Sequence, residues 1–322
     1  MKTVLTRLLV AVFGLIGSAT SALSQDYPNR AVRILVGYPP SSGPDFIART
    51  VGEALSKSFG QPFVMEYKPG VAGTLAAEQA AKAPADGYTL LIGDTGQLEV
   101  APYLFKALPY DALRDLTPVA IVSRIPTIIA SNGKSQIRTI KDLIREAKAN
   151  PGKLNYGSSG NGSIHHIIFE ALNAAAGTKM THIPYKSAAQ TMPALLSGDV
   201  DVMMGTTGMV AQSRAGAIHL LGVSSAERYP FAPDVPAVSE TLNGFDFSAE
   251  FGILAPAKLP SEVLVRLSQA IKAATETQDL QDKYKKLGYI LLWTTPEAYA
   301  EKIRQNLKKY EQVIRSAKIQ AN

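Results

Sequence analysis

The chain has 322 residues, 46% of them hydrophobic, with 33 lysines and arginines against 27 acidic residues and no cysteine. Without a thiol there can be no disulfide, thiolate metal site, cysteine nucleophile or acylated lipoprotein anchor. The basic excess is mild. Its clusters, at Lys283, Lys285 and Lys286 and at Lys302, Arg304, Lys308 and Lys309, interleave with Glu and Gln as solvated helix faces do, so no nucleic-acid partner is expected.

At the start, Lys2 and Arg7 flank the beginning of an apolar stretch over 8–16, and Ala22-Leu23-Ser24 offers small residues for cleavage. This pattern reads as an export signal over 1–24. The stretch is too short to span a bilayer, and no later segment reaches the roughly 20 apolar residues a spanning helix needs. What remains, about 298 residues with a net charge near +4, is expected to be soluble and periplasmic. That length exceeds what one hydrophobic core usually serves, so two domains are expected.

Strand and helix signals then alternate, the mark of an α/β protein with largely parallel sheets. Strands are expected at 31–36, 63–67 and 89–93, with helices over 45–59, stopped by Gly60, and 74–82. Residues 117–131 form a β-rich crossing with no helix, where the chain leaves one domain for another. Helices follow over 140–149, after Ser163, over 188–196 and over 208–215, between strands at 154–156, 180–183, 200–204 and 219–223. A second crossing is placed near 223–225, and the strand 251–254 rejoins the first domain. Two helices are expected to finish the chain. One carries Leu264, Leu267 and Ile271; the other opens with Thr295 as N-cap and Pro296 at its first position, with a stripe of Tyr299, Ile303, Leu307, Tyr310 and Ile314. Two lobes joined by two crossings make a clamshell, a form that closes around ligands.

Two strand-to-helix loops carry the chemistry. In GYPPSSGPDFIART, 37–50, the amides of Ser41, Ser42 and the first helical turn are expected to point beyond the carboxyl end of the strand. Helix N-termini attract anions, and open α/β sheets place ligands at that end. In LNYGSSGNGSIHH, 154–166, Gly, Ser and Asn again follow a strand and precede a helix. Asn161 stands where a nucleophile elbow needs glycine, no P-loop lysine follows, and the glycines do not match a dinucleotide fingerprint. His165 and His166 are adjacent and diverge by about 100° on a helix, a poor metal pair. No metal and no cofactor are expected.

Six motifs in order, spread over most of the chain, are similar to the substrate-binding receptors of tripartite tricarboxylate transporters, the Bug receptors. They are YPNRAVRILVGYPPSSGPDFIAR, the turn Ala85-Asp86-Gly87-Tyr88-Thr89-Leu90, LPYDALRDLTPVA at 108–120, NPGKLNYGSSGNGSIHH at 150–166, HIPYKSAAQTMPALLSGDVDVM at 182–203 and FGILAPAKLP at 251–260. The resemblance implies a two-lobe, type II periplasmic binding protein (Venus flytrap) with a mixed, mostly parallel sheet in each lobe. The lobes would be 25–123 plus 225–322, and 124–224. It implies a non-enzymatic monomer that closes over a small organic carboxylate, partly through ordered waters, and delivers it to inner-membrane permease subunits. Carried over by position, the ligand-binding residues are Tyr38, Ser41, Ser42, Asp45, Thr95, Gly96, Ser158, Ser159, Gly160, Asn161, Ser163, His166, Tyr185, Ala188 and Thr206.

The chain also departs from that family. Ser41 and Ser42 replace glycines, Pro44 replaces threonine, and Glu250 stands where many members carry an aromatic residue. Glu250 either points inward, to repel a carboxylate or pair with a cation, or faces solvent. Asp45 either caps its own helix or receives an ammonium group of a zwitterionic ligand. His182 and His219 are expected to be satisfied structural groups. A ligand sensor for a membrane signalling partner shares every one of these features, and an exported hydrolase using Ser158 or Ser159 with His166 is the alternative from another class.

Overall fold

The computed structural model describes residues 27–320, so the expected export signal lies outside the described residues. The chain forms β1 Val32–Val36, α1 Gly43–Phe59, β2 Phe63–Tyr67, α2 Thr74–Ala81, β3 Thr89–Asp94, a π-helical turn Gly96–Val100, α3 Ala101–Leu104 and β4 Leu116–Pro126. It continues through β5 Ile128–Asn132, α4 Ile140–Ala149, β6 Asn155–Ser158, α5 Ile164–Ala176, β7 Thr181–Pro184, α6 Thr191–Ser197, β8 Val202–Gly205, α7 Met209–Arg214 and β9 Ile218–Val223. The last part is β10 Ser248–Pro256, α8 Ser261–Thr275, α9 Gln278–Leu287, β11 Ile290–Leu291 and α10 Pro296–Ser316. Three helices, not two, therefore finish the chain. Among the described residues, no helix is long and apolar enough to cross a membrane.

The strands form two mixed sheets, ordered β11-β4-β10-β3-β1-β2 and β7-β6-β8-β5-β9. In the first, β1 pairs in parallel with both β2 and β3. In the second, β6 pairs in parallel with both β7 and β8. Antiparallel pairing enters through β10 and β5, strands next to the segments that pass between the sheets. Each lobe thus has a block of three parallel strands whose carboxyl ends lie side by side, the place where open α/β sheets bind ligands.

Local chemistry explains the elements at those ends. Helix α1 starts at Ser42, whose hydroxyl accepts from the Asp45 amide at 3.4 Å, and ends where Gly60 turns left-handed at φ 68°. Its Ile47, Val51 and Leu55 are fully buried on one face, an apolar stripe at helical spacing. Helix α10 is capped by Thr295, which accepts from Ala298 N at 3.1 Å. It serves both lobes: Tyr299 and Ile303 pack with Leu35, Leu91 and Leu254, whereas Tyr310, Val313 and Ile314 pack with Ile168, Leu172 and Phe247.

Only Thr127 separates β4 from β5, and Ser224 follows β9 directly. Ser224 Oγ accepts from Thr127 N and Thr127 Oγ1, each at 3.0 Å, and donates to the carbonyl of Phe247, just before β10. One buried hydroxyl therefore ties together the three stretches that cross between the sheets.

Candidate functional site

In the first lobe the loops after β1, β2 and β3 share one end of the sheet. The β1 loop is braced by Asp45, which is 3% exposed. Its carboxylate accepts from Ser41 N at 2.7 Å, Tyr67 OH at 2.7 Å and Arg49 Nε at 2.9 Å. Burial works to raise its pKa, but the hydrogen bonds from Tyr67, Ser41 and Arg49 outweigh burial and hold it below the ordinary carboxylate value. The N-cap of α1 is Ser42, and the Asp45 carboxylate instead ties the loop before the helix to Arg49 and to Tyr67 of β2.

The serine amides differ from expectation. Ser41 N is taken by Asp45, and Ser42 N donates to Pro39 O at 3.4 Å, so neither points outward. Ser41 adopts φ 66°, a conformation glycine tolerates far better. Ser41 is exposed, and Pro44, at the helix start, has no N–H.

Tyr38 reaches from the β1 loop to the β3 loop, where its hydroxyl donates to Asp94. Asp94 also accepts from the amides of Gly96 and, at 2.9 Å, Gln97; burial raises its pKa, and these bonds temper the rise. Thr95 is 2% exposed, and its Oγ1 accepts from Glu250 N at 3.1 Å. Tyr38, Thr95 and Gly96 thus hold the loops together.

Sequence reasoning missed two parts of this end. One is the turn after β2, where Gly70, Ala72 and Gly73 take φ of 131°, 54° and 83°. The other is Gln97, fully buried, with neither side-chain polar atom hydrogen-bonded. A Cβ on Gly37 or Gly73 would come within 2.5 and 2.3 Å of Gln97 Nε2, so only glycine fits at either place. The Pro69-Gly70 pair, followed by Ala72-Gly73 between a strand and a helix, was the available signal.

The second lobe presents the loops after β6, β7 and β8. Ser158 is fully buried; its Oγ lies 2.6 Å from His182 Nε2, donates to Gly160 O and accepts from Gly160 N, both at 3.1 Å. Gly160 and Gly162 have φ of 119° and 71°. Ser163 caps α5 by accepting from His166 N at 3.4 Å. Gly162 N donates to His166 Nδ1 at 3.1 Å, which leaves the proton of the neutral ring on Nε2. The rings of His166 and His182 stack with centroids 3.8 Å apart, and His182 stacks in turn on Tyr156 at 5.0 Å. Burial lowers His165, His166 and His182 to about 4, with His182 adding to the effect on His166. At neutral pH the loop is therefore an uncharged donor set.

Ser159 Oγ lies 3.5 Å from His165 Nδ1. Asn161, Ala188 and Thr206 are exposed, and Tyr185 is half-buried against the β6 loop, its amide donating to Ser158 O at 3.0 Å. His182 is satisfied as expected. His219 is not, because its buried Nε2 has no partner. Among the described residues no cluster suits a metal.

Beside these loops the lobes come into contact. Leu104 of α3 fills the space over Gly162, 2.8 Å from where a Cβ would stand. Thr207 Oγ1 donates to Leu287 O at 3.3 Å, and Thr207 and Tyr229 crowd Gly288.

Glu250 points inward and is 5% exposed. It pairs with Arg124 at 2.9 Å, and Asn306 Nδ2 donates both to it at 3.4 Å and to Glu99 at 2.9 Å. Burial first, and then the charge of Glu250, push the Glu99 carboxyl well above the usual carboxylate range.

Two α/β lobes, each with loops gathered at the carboxyl ends of parallel strands, define the class of substrate-binding proteins. Residues 47–319 match the profile of the family described as tripartite tricarboxylate transporter family receptor. The chain belongs to that family. It is 34% identical over 313 residues to a UPF0065 protein of Bordetella bronchiseptica, covering 97% of this chain and 93% of that protein. Among solved structures it is similar to Rpa4515 of R. palustris with adipate, with TM-score 0.76, 28% identity and coverage of 92% and 100%. It is also similar to MatC of Rhodopseudomonas palustris with bound malate, with TM-score 0.72, 28% identity and coverage of 89% and 100%.

Proposed function

We propose that the chain is a periplasmic receptor that closes its lobes, 25–123 plus 225–322 and 124–224, over a small organic carboxylate and delivers it to a membrane permease. The observation that carries this reading is the neutral donor loop at 158–163, set beside the place where Gly162 meets Leu104 of the other lobe. Neutral donors bind a carboxylate without carrying a counter-charge, so release does not require breaking an ion pair. Direct contacts are assigned to Ser159, Asn161, Thr206, Ser41 and the His166 Nε2–H; Asp45, Tyr38 and Thr95 position the loops.

Both neighbours solved with ligands hold dicarboxylates, adipate and malate, so short dicarboxylates are the first compounds to test. Ligand at a thousandfold above its dissociation constant is expected to stabilise the protein by about 4 kcal/mol, read as a higher Tm. Ser159→Ala is expected to weaken that ligand by about three- to tenfold. Melting curves that no di-, tri- or aromatic carboxylate moves would overturn the reading.

Two serine–histidine contacts favour a hydrolase, Ser158 with His182 and the longer one of Ser159 with His165; His166, the expected partner, instead accepts from Gly162 N. Against it, Ser158 is fully buried, and no carboxylate is hydrogen-bonded to His182 among the described residues. Ester turnover that disappears in Ser158→Ala would decide for the enzyme.

A further inference from the structure

Gln97 is fully buried, and among the described residues neither its Nε2 nor its Oε1 has a hydrogen-bond partner. Its main chain is fixed on both sides. The amide donates to Asp94 Oδ1 at 2.9 Å, and the carbonyl accepts from Tyr110 OH at 2.7 Å. From the β3 loop the side chain reaches the other two loops at this end of the sheet. Its Nε2 lies within 2.5 Å of where Cβ atoms on Gly37 and Gly73 would stand. It therefore presses on the backbone that leads into Tyr38 and on the residue that caps α2.

A methionine of almost the same length would fill this space without burying an amide, and a buried amide without partners costs free energy. An acceptor is close at hand. Gly73 O stands 2.8 Å from the point beside Gly37 that Nε2 also approaches, yet the two are not hydrogen-bonded. The turn that carries Gly73 is itself strained, since Ala72 holds φ 54°, a left-handed conformation unfavourable for an L-residue. An unpaired donor and a strained turn bearing its nearest acceptor thus sit together where the β1, β2 and β3 loops converge. A short movement of the turn would satisfy the amide.

We propose that Gln97 is a positioning residue of the carboxylate cleft: its Nε2 takes the Gly73 carbonyl when the lobes close over ligand, fixing the β2 turn and the β1 loop in the bound arrangement. A ligand favours one arrangement only through interactions that differ between the two, and this hydrogen bond is such a difference. The amide touches the protein and not the ligand, so it tunes affinity without choosing which carboxylate binds. The inference rests on the carboxylate reading given above.

The probe is malate or adipate, whichever binds the unaltered protein more tightly by calorimetry. Gln97→Met is expected to raise the Tm of the ligand-free protein by about 2 °C, because the unpaired amide is gone. The same variant is expected to bind the probe about three- to tenfold more weakly. A residue that only packs would not move the two measurements in opposite senses. In the unaltered protein, the side-chain NH2 resonances of Gln97, identified by their loss in Gln97→Met, should move downfield when the probe is added. A variant that binds the probe as tightly as the unaltered protein would overturn the proposal. So would a lowered Tm, which would show the amide already partnered without ligand, or NH2 resonances that stay in place. Failure of the unaltered protein to bind either acid is a separate result, in which no variant enters: it strikes the carboxylate reading, and this inference with it.

Discussion

Replacing Asp45 by alanine removes the acceptor for three donors at once. Arg49 is about half exposed and regains water, so most of the loss falls on the Ser41 amide and the Tyr67 hydroxyl. A destabilisation of about 2 kcal/mol is expected in urea unfolding at neutral pH. The folded pKa of Asp45 is depressed, so its contribution is present above the unfolded carboxylate value and is lost as pH falls through the folded value. The difference between wild type and variant should therefore close in acid. A difference that stays constant with pH would mean that the carboxylate charge is not what braces the loop.

The histidines act in the opposite charge sense. His165, His166 and His182 fall from 6.5 to about 4 on folding, so between those values the unfolded chain binds more protons than the folded one. Stability is complete above about pH 6.5 and falls as pH drops toward 4. Unfolding titrated across that window should be flattened in His166→Gln/His182→Gln, and an unchanged slope would place the proton uptake elsewhere. Residue chemistry was only partly legible. The Ser-Gly-Pro-Asp order announced a capped helix, but nothing in it names Tyr67, which lies 22 positions away and meets Asp45 only because β1 and β2 are neighbours.

Among elements, the loop from Gly160 to Ser163 is the most demanding. Gly162→Ala would need φ 71° from an L-residue and would drive a methyl group into Leu104. A stability loss of about 1–2 kcal/mol from the backbone alone is expected, with a further loss of ligand affinity because the two lobes meet there. Calorimetry with Gly162→Ala/Leu104→Ala separates the parts: affinity should partly return, whereas the backbone penalty should remain. Element existence was readable wherever apolar side chains recur. Helix α9 escaped because only Leu280 and Tyr284 of its ten residues are buried, leaving a charged run with almost no apolar stripe. The π-helical turn escaped because Gln97 and Glu99 look like loop residues, although both are buried.

For the whole molecule, α10 couples the lobes. Ile303→Ala strikes the first core and Ile314→Ala the second, each expected to lower stability by about 2–4 kcal/mol. Because one helix serves both cores, each variant should shift a single transition, with circular dichroism and tyrosine fluorescence coinciding. Two separable transitions would show that the lobes unfold independently. The stripe on α10 was visible in its spacing. That its two ends enter different cores was not, because the periodicity of a helix does not say which surface receives each turn.

The last long helix also bears on how the protein is made. Neither half can be finished until residues 299–314 have left the ribosome, since the early sheet waits for Tyr299 and Ile303 and the later one for Tyr310 and Ile314. A growing chain is thus left open until that helix emerges, when one amphipathic rod locks two half-built bodies together.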